Sequence, residues 1–331
     1  MKHLLPQTTY YKANLHTHST ISDGKIAPED VKQAYKEKGY QILALTDHNI
    51  AVDHSQMNEP DFLMLTGVEV DITAQQGAPF AAQTYHLNLI AKQPDNVYFP
   101  VCATYDVSPA ADYVAKMQCE KMDLQCNPED VNKLIARANE MGFLVAYNHP
   151  TWSCQSYPDY APLKGLWAME IRNSECFIAG INENNARVYK DLLNLGNRLY
   201  PLGADDMHKA AGLGLAWIMV GAEELSYSKV ITALENGDFY MSCGPEICSL
   251  AVDGRKVKIT CSDAQAITLE SHGRFSRRVV AQGNNWLNEA ELDIGALLDR
   301  AAGVANTYFY VTVTAPDGSY ATTRAYYLEE L

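Results

Sequence analysis

Positive charge is scarce in this chain of 331 residues: 26 Lys and Arg stand against 40 Asp and Glu, a formal net charge of −14. A general nucleic-acid binder needs a basic face to displace counterions from phosphates, so the composition argues against one, and against a double-stranded nucleic-acid partner. No uninterrupted apolar run is long enough to cross a bilayer, and no membrane partner is expected. The first nine residues, Met1 to Thr9, lack both a long apolar region and a small-residue cleavage site, so no leader is expected. Eight cysteines are scattered without a Cys-x-x-Cys; Cys243 and Cys248 are the nearest pair, and their spacing is not that of a zinc ribbon. Reduced, mostly buried thiols in a cytoplasmic protein are the expectation. An acidic surface does not exclude an anionic substrate, because bound cations can invert the local field.

The chain is long for one core, so one large barrel or two domains is the prior. The stretch Asn14-Leu15-His16-Thr17-His18-Ser19-Thr20-Ile21-Ser22-Asp23-Gly24 stands out. On a strand, positions i and i+2 share a face, so His16 and His18 project together, with Asp23 following. Imidazole and carboxylate donors suit Zn, Mn or Fe. The chain around them alternates. Tyr10 to His16 reads as a strand. A helix opens at Pro28-Glu29-Asp30 and stops at Gly39. Gln41 to Thr46 reads as a strand buried on both faces, ending at Asp47-His48-Asn49. Phe62 to Val68 leads into Glu69, and Tyr85 to Ile90 holds His86 within a strand.

Asn127-Pro128-Glu129-Asp130 caps a helix running to Met141, before a strand Phe143–Tyr147 that ends in Asn148-His149-Pro150. Leu166 to Ile171 is a strand with Glu170, Arg172 and Asn173 at its end. Asn182 to Leu195 is a helix. Arg198 to Leu202 is a strand ending in Asp205-Asp206-Met207-His208. Leu215 to Val220 closes the sheet, and Ser226 to Glu235 is a helix. Residues 92–126, with three prolines and a helix expected over Ala111 to Lys121, read as an inserted lid. From residue 245 the texture becomes short alternating stretches with Asp253-Gly254 and Asp317-Gly318 turns, the pattern of a small β-sandwich-like domain over 245–331. The reading is α/β, with strand–helix units over residues 1–244 that place polar residues at strand ends.

Nine of those residues form one series: His16, His18, Asp23, His48, Glu69, His86, His149, Asp206 and His208. Each alone has an ordinary structural explanation. Their succession at one end of one sheet points to multinuclear metal binding. Asp205 adjoins Asp206 and competes for its role; the Asp-x-His spacing favours Asp206.

As an ordered set, His16-Thr17-His18 with Ser22-Asp23-Gly24, Leu45-Thr46-Asp47-His48-Asn49, Gly67-Val68-Glu69, Asn148-His149-Pro150 and Asp206-Met207-His208 resemble the motifs of the PHP (polymerase and histidinol phosphatase) family, over about residues 10–240. The stretch from Gly212 through Gly244-Pro245-Glu246 is similar to a two-domain branch of that family. The resemblance implies a distorted (β/α)7 barrel with a trinuclear metal centre. It implies one ion held by His16, His18, Glu69 and Asp206, a second by Glu69, His86 and His149, and a third by Asp23, His48 and His208. It also implies a metal-dependent phosphoesterase that uses two or three divalent ions (Zn, Mn or Fe). A hydroxide bridging them would attack a small organic phosphate, a monoester or a short nucleotide.

Beyond the ligands, Arg172, Asn148 and Lys209 are candidate substrate contacts, and Asp47 and Asp205 candidate supports for the ligands. The Asp53-His54 pair is a weaker support. Trp152 and Tyr157 either stack on a base or sugar or pack within their loop. Arg172 has an alternative role in an ion pair with Glu170 or Glu175. Two other functions stay open: hydrolysis of a C–N or C–O bond by the same kind of centre, and glycan or partner binding through the C-terminal β domain.

Overall fold

The computed structural model describes residues 1–74, 83–181, 185–283 and 285–331. Three strands, Thr9–Asn14, Ile42–Leu45 and Leu63–Thr73, pair side by side in parallel. The helix Pro28–Glu37 makes the crossover between the first two. Pro28 presets its first turn, Glu29 and Asp30 face its electropositive end, and Val31 and Tyr35 are buried. All four residues of Ile42–Leu45 are buried, as in a parallel strand covered on both faces.

The strand–helix alternation then breaks. Leu63–Thr73 continues past Glu69 and pairs antiparallel with Thr84–Ala91, which pairs antiparallel with Phe143–Tyr147. Phe143–Tyr147, Ala168–Asn173 and Tyr200–Ala204 are parallel. Trp217–Ala222 runs antiparallel to Thr9–Asn14 and to Phe239–Ser242. Of the expected distorted (β/α)7 barrel, the structure shows a mixed α/β arrangement on one 14-stranded sheet. Among the described residues, Tyr200–Ala204 ends that sheet without a ladder closing it. The strand–helix repeat is interrupted because an antiparallel neighbour is reached without a helical crossover. The same reversal serves the site. An antiparallel strand begins on the side where its parallel neighbours end, so His86, near the start of Thr84–Ala91, stands at the rim where the other motifs lie.

Residues 92–126 also differ from expectation. Phe99–Cys102 and Cys119–Met122 form a two-stranded parallel sheet, and the helix covers only Ala111–Val114. Phe99, Val101 and Cys102 are fully buried in the main core. The strand Phe99–Cys102 thus anchors this segment in the core, and Asp106 and Val107 between its elements reach the site. Farther on, the helix Pro128–Glu140 is capped as expected, Asn127 Oδ1 accepting from Asp130 N at 3.0 Å. The next long helix is Asn185–Asn194; its expected start at 182–184 lies outside the described residues. Tyr227–Asn236 ends at Gly237, whose φ of 70° suits glycine.

Near the C-terminus, Lys2–His3, Ile247–Asp253, Lys256–Ala264 and Leu287–Asp293 make a four-stranded sheet. Tyr320–Thr323, Tyr308–Thr314, Ala266–Ser271 and Ser276–Val280 extend the large sheet. Leu250, Val257 and Ile259 of the first pack against Ile267, Phe309 and Val311 of the second. Ser276–Val280 and Leu287–Asp293 were not legible as strands, because both are largely polar and ladder partners hold them. At residue 244 the large sheet continues, Tyr240 pairing with Thr323 and Ser242 with Ala321. No helix among the described residues is long and apolar enough to cross a membrane.

Candidate metal centre

His16 and His18 follow the strand Thr9–Asn14 as extended chain. The His18 amide donates to Met207 O at 3.1 Å, and the Asp206 amide donates to His16 O at 2.9 Å. These bonds place the His-x-His pair against the Asp-x-His segment. The two Nε2 atoms lie 3.1 Å apart. Glu69 Oε2 is 3.2 Å from each, and Asp206 Oδ1 is 3.1 Å from one and 3.0 Å from the other.

Glu69, 1% exposed, is the hub. Besides His16 and His18, its oxygens lie 3.4 Å from His48 Nδ1, 3.0 Å from His86 Nδ1 and 3.4 Å from His149 Nε2. On the other side, Asp23 Oδ2 is 3.3 Å from His208 Nε2 and 4.0 Å from His48 Nε2. All nine expected ligands therefore converge. The mutually close sets are His16, His18, Glu69 and Asp206; His18, Asp23, His48 and His208; His48, Glu69 and His86; and His16, His149 and Glu170. The first matches the expected first set, and the next contains the expected third. The expected second set is divided: His86 and His149 both meet Glu69 Oε1, but His86 groups with His48, and His149 with His16 and Glu170.

The electrostatics suit a cation. Burial works against ionised Glu69 and Asp206, yet the surrounding imidazoles hold both well below the usual carboxylate range. Burial pushes His18 down, and the Asp206 and Glu69 carboxylates outweigh it, raising it to about 10. His48 falls to about 3, chiefly through burial. Asp206 Oδ1 is buried and makes no hydrogen bond despite its two imidazole neighbours; His18 Nδ1 and His48 Nδ1 are likewise buried and make none. Fixed carboxylates compensated by protons on the surrounding imidazoles form a set in which a divalent ion can take the place of those protons.

Supporting residues hold this geometry. Glu170, read from sequence only as a strand-end residue or a partner for Arg172, is 2.6 Å from His16 Nδ1. Its other oxygen accepts from the His149 amide at 3.0 Å. Only its place near a strand end hinted at this; the contact is tertiary. Asn148 donates to Glu69 Oε1 at 2.7 Å, so it positions a carboxylate and does not face the cavity. Asp47 accepts from the amides and hydroxyls of Ser19 and Ser22, fixing the turn that presents Asp23. Asp205 faces away from the cluster and accepts from Tyr35, Ser174 and the amides of Gly214, Leu215 and Ala216. Three non-glycine residues in or beside the cluster have left-handed backbones: Asn49 (φ 57°), His149 (22°) and Asp206 (52°). Such strain persists where the surroundings over-determine it, and each amide is held, by Glu69 O, Glu170 Oε2 and His16 O respectively.

The cluster floors a cavity of about 770 Å³. Lys209 lines it, as does Lys25, a residue the sequence did not single out. Lys25 N donates to His208 O at 2.9 Å, which brings the two lysines to one side of the mouth. Arg172 is not among the residues lining the cavity; its guanidinium lies 3.7 Å from the Phe177 ring centre, while Glu170 turns to His16. The buried His54 and Asp53, which accepts from Ser55 N, also lie outside the lining, as does Tyr157. Trp152 does line it.

Comparison with known proteins agrees with the motif reading. Residues 14–102 match the PHP domain. The matched segment holds His16, His18, Asp23, His48, Glu69 and His86, and the later strands bring His149, Asp206 and His208 to it. No curated protein matches the chain. Solved structures similar to it include a two-domain protein containing a predicted PHP-like metal-dependent phosphoesterase from Bacteroides vulgatus ATCC 8482, at 16% identity over 99% of this chain and 98% of that one, with a TM-score of 0.45. A lesion-specific endonuclease from Pyrococcus furiosus shares 14% identity over 69% of this chain and 56% of that one, with a TM-score of 0.43.

Proposed function

We propose that this protein is a metal-dependent phosphoesterase acting on a small organic phosphate, a monoester or a short nucleotide. The observation that carries the reading is the meeting of five imidazoles on Glu69, with the buried Asp206 Oδ1 against two of them. His16, His18, Glu69 and Asp206 would hold one divalent ion. Asp23, His48 and His208 would hold another, and His86 and His149 a third through Glu69. Zn, Mn and Fe all fit such donors. When bound, these ions supply positive charge for phosphate oxygens and an activated water.

The chain's own groups do the rest. Asp23, Glu69 and Asp206 offset about three of the roughly six charges that three divalent ions bring, leaving a field that favours an anion. Lys25 and Lys209 extend that field to the mouth. Glu170 and Asn148 hold His16 and Glu69 in place.

The test pairs elemental analysis with phosphate release from a panel of phosphate, amide and lactone substrates, for the parent, His16→Ala and Glu69→Ala. The expected result is phosphate release by the parent, with metal and turnover both lost in the variants. Parent-level turnover in metal-depleted Glu69→Ala would overturn the reading, and turnover confined to amides or lactones would replace it with C–N or C–O hydrolysis.

A further inference from the structure

The cavity is far larger than a phosphate group needs. At about 770 Å³ it falls in the range that holds whole small molecules, roughly 300–1,000 Å³. Its floor is the ligand cluster, and its lysines stand together beside His208 and Asp23. Across the cluster, next to His86 and His149, stands Trp152, the one Phe, Tyr or Trp in the lining among the described residues.

Trp152 is held as a fixed wall. Its ring centre is 5.5 Å from that of His86 and 5.0 Å from that of His149, nearly perpendicular to both. The turn carrying it is tied by Ser153 N to His149 O at 3.1 Å, Cys154 N to Thr151 O at 3.2 Å and Gln155 N to Pro150 O at 3.0 Å. Thr151 Oγ1 donates to Asn185 Oδ1 at 2.8 Å. Despite this anchoring, 45% of Trp152 is exposed. A large indole kept rigid, beside two ligand imidazoles, with much of its surface left open, is a preformed platform for a flat ring. Val107 and Ala179 line the same cavity and add apolar surface.

We propose that Trp152 forms a stacking subsite for a planar ring carried by the alcohol part of the ester. The substrate class then narrows to phosphate esters bearing a nucleobase or a comparable aromatic ring close to the phosphate. This rests on the phosphoesterase reading for the position of the phosphate, but stacking itself is read out by binding. Stacking is tolerant of ring identity because every base has a π face, so the subsite selects for a ring and not for one base.

The experiment compares a purine nucleoside 5′-monophosphate with ribose 5-phosphate on the metal-loaded full chain, by calorimetric binding and by phosphate release. The parent is set beside Trp152→Ala and Trp152→Phe. The expected result is binding of the nucleotide about tenfold or more tighter than ribose 5-phosphate, an advantage lost in Trp152→Ala and largely restored in Trp152→Phe. Metal content measured alongside shows whether His86 and His149 keep their places. Equal affinity of the parent for the two probes would overturn the stacking subsite, as would an equal loss for both probes in Trp152→Ala. Binding of neither probe by the parent would instead overturn the phosphoesterase reading beneath it. Preferential binding of the nucleotide without phosphate release would support the subsite while counting against that reading.

Discussion

Glu170 Oε1 lies 2.6 Å from His16 Nδ1, with both side chains about 1% exposed. One carboxylate thereby fixes the ring of a candidate ligand and, through its other oxygen, the backbone of His149. A carboxylate behind a ligand imidazole sets its orientation and raises its basicity. Glu170→Gln is expected to weaken metal retention by about 10–100-fold while the fold survives. Competition against a graded chelator series measures this; unchanged retention would show that the contact does not orient His16.

Asp71 links the ligand strand to the wall of the cavity. Its oxygens accept from Asn49 Nδ2 at 2.9 Å and from the Asp106 amide at 2.8 Å, and Asn49 Nδ2 also donates to Val107 O at 2.8 Å. Removing this buried acceptor strands its donors, so Asp71→Ala is expected to cost about 1–3 kcal/mol. Amide exchange should quicken over residues 103–110 with metal content at the parent level. Exchange unchanged there would mean the loop holds its position by other contacts.

His54 offers a pH test outside the cluster. It is 5% exposed, and burial lowers its pKa below the ordinary value of 6.5. Its neutral form is favoured on folding, so its contribution is fully present above about pH 6.5 and is lost as pH falls from there towards the lowered folded value. Relative to the parent, His54→Gln is therefore expected to lose less stability between pH 7.5 and 5. Thermal midpoints of the two proteins across that range decide it, and parallel curves would count against the burial argument.

The helix cap is testable without reference to function. Asn127→Ala removes the acceptor of the Asp130 amide and is expected to lower unfolding free energy by about 1 kcal/mol, whereas Asn127→Ser should retain most of it. Chemical denaturation of the three proteins provides the comparison.

Much of the site was legible as residue type and order. His16 and His18 share a face because strand geometry repeats every two residues, and Asp206 was preferred over Asp205 by its spacing from His208. Helix ends at Pro28, Asn127 and Gly237 were readable because proline, capping amides and glycine act on their own backbones. The C-terminal strands with alternating apolar residues were readable for the same local reason.

What needed the tertiary structure was everything set by direction and by distant partners. Whether a strand runs with or against its neighbour leaves little trace in its own residues, yet that choice puts His86 at the ligand rim and interrupts the strand–helix repeat. Phe99, Val101 and Cys102 became core because the helix Pro128–Glu140 and the strand Leu63–Thr73 pack against theirs. Glu170 and Arg172, two residues apart on one strand, went to His16 and to the Phe177 ring, and only the packing of separate segments distinguishes those fates. Sequence specifies local geometry and which donors are available; the assignment of each donor to a neighbour depends on contacts between residues far apart in the chain.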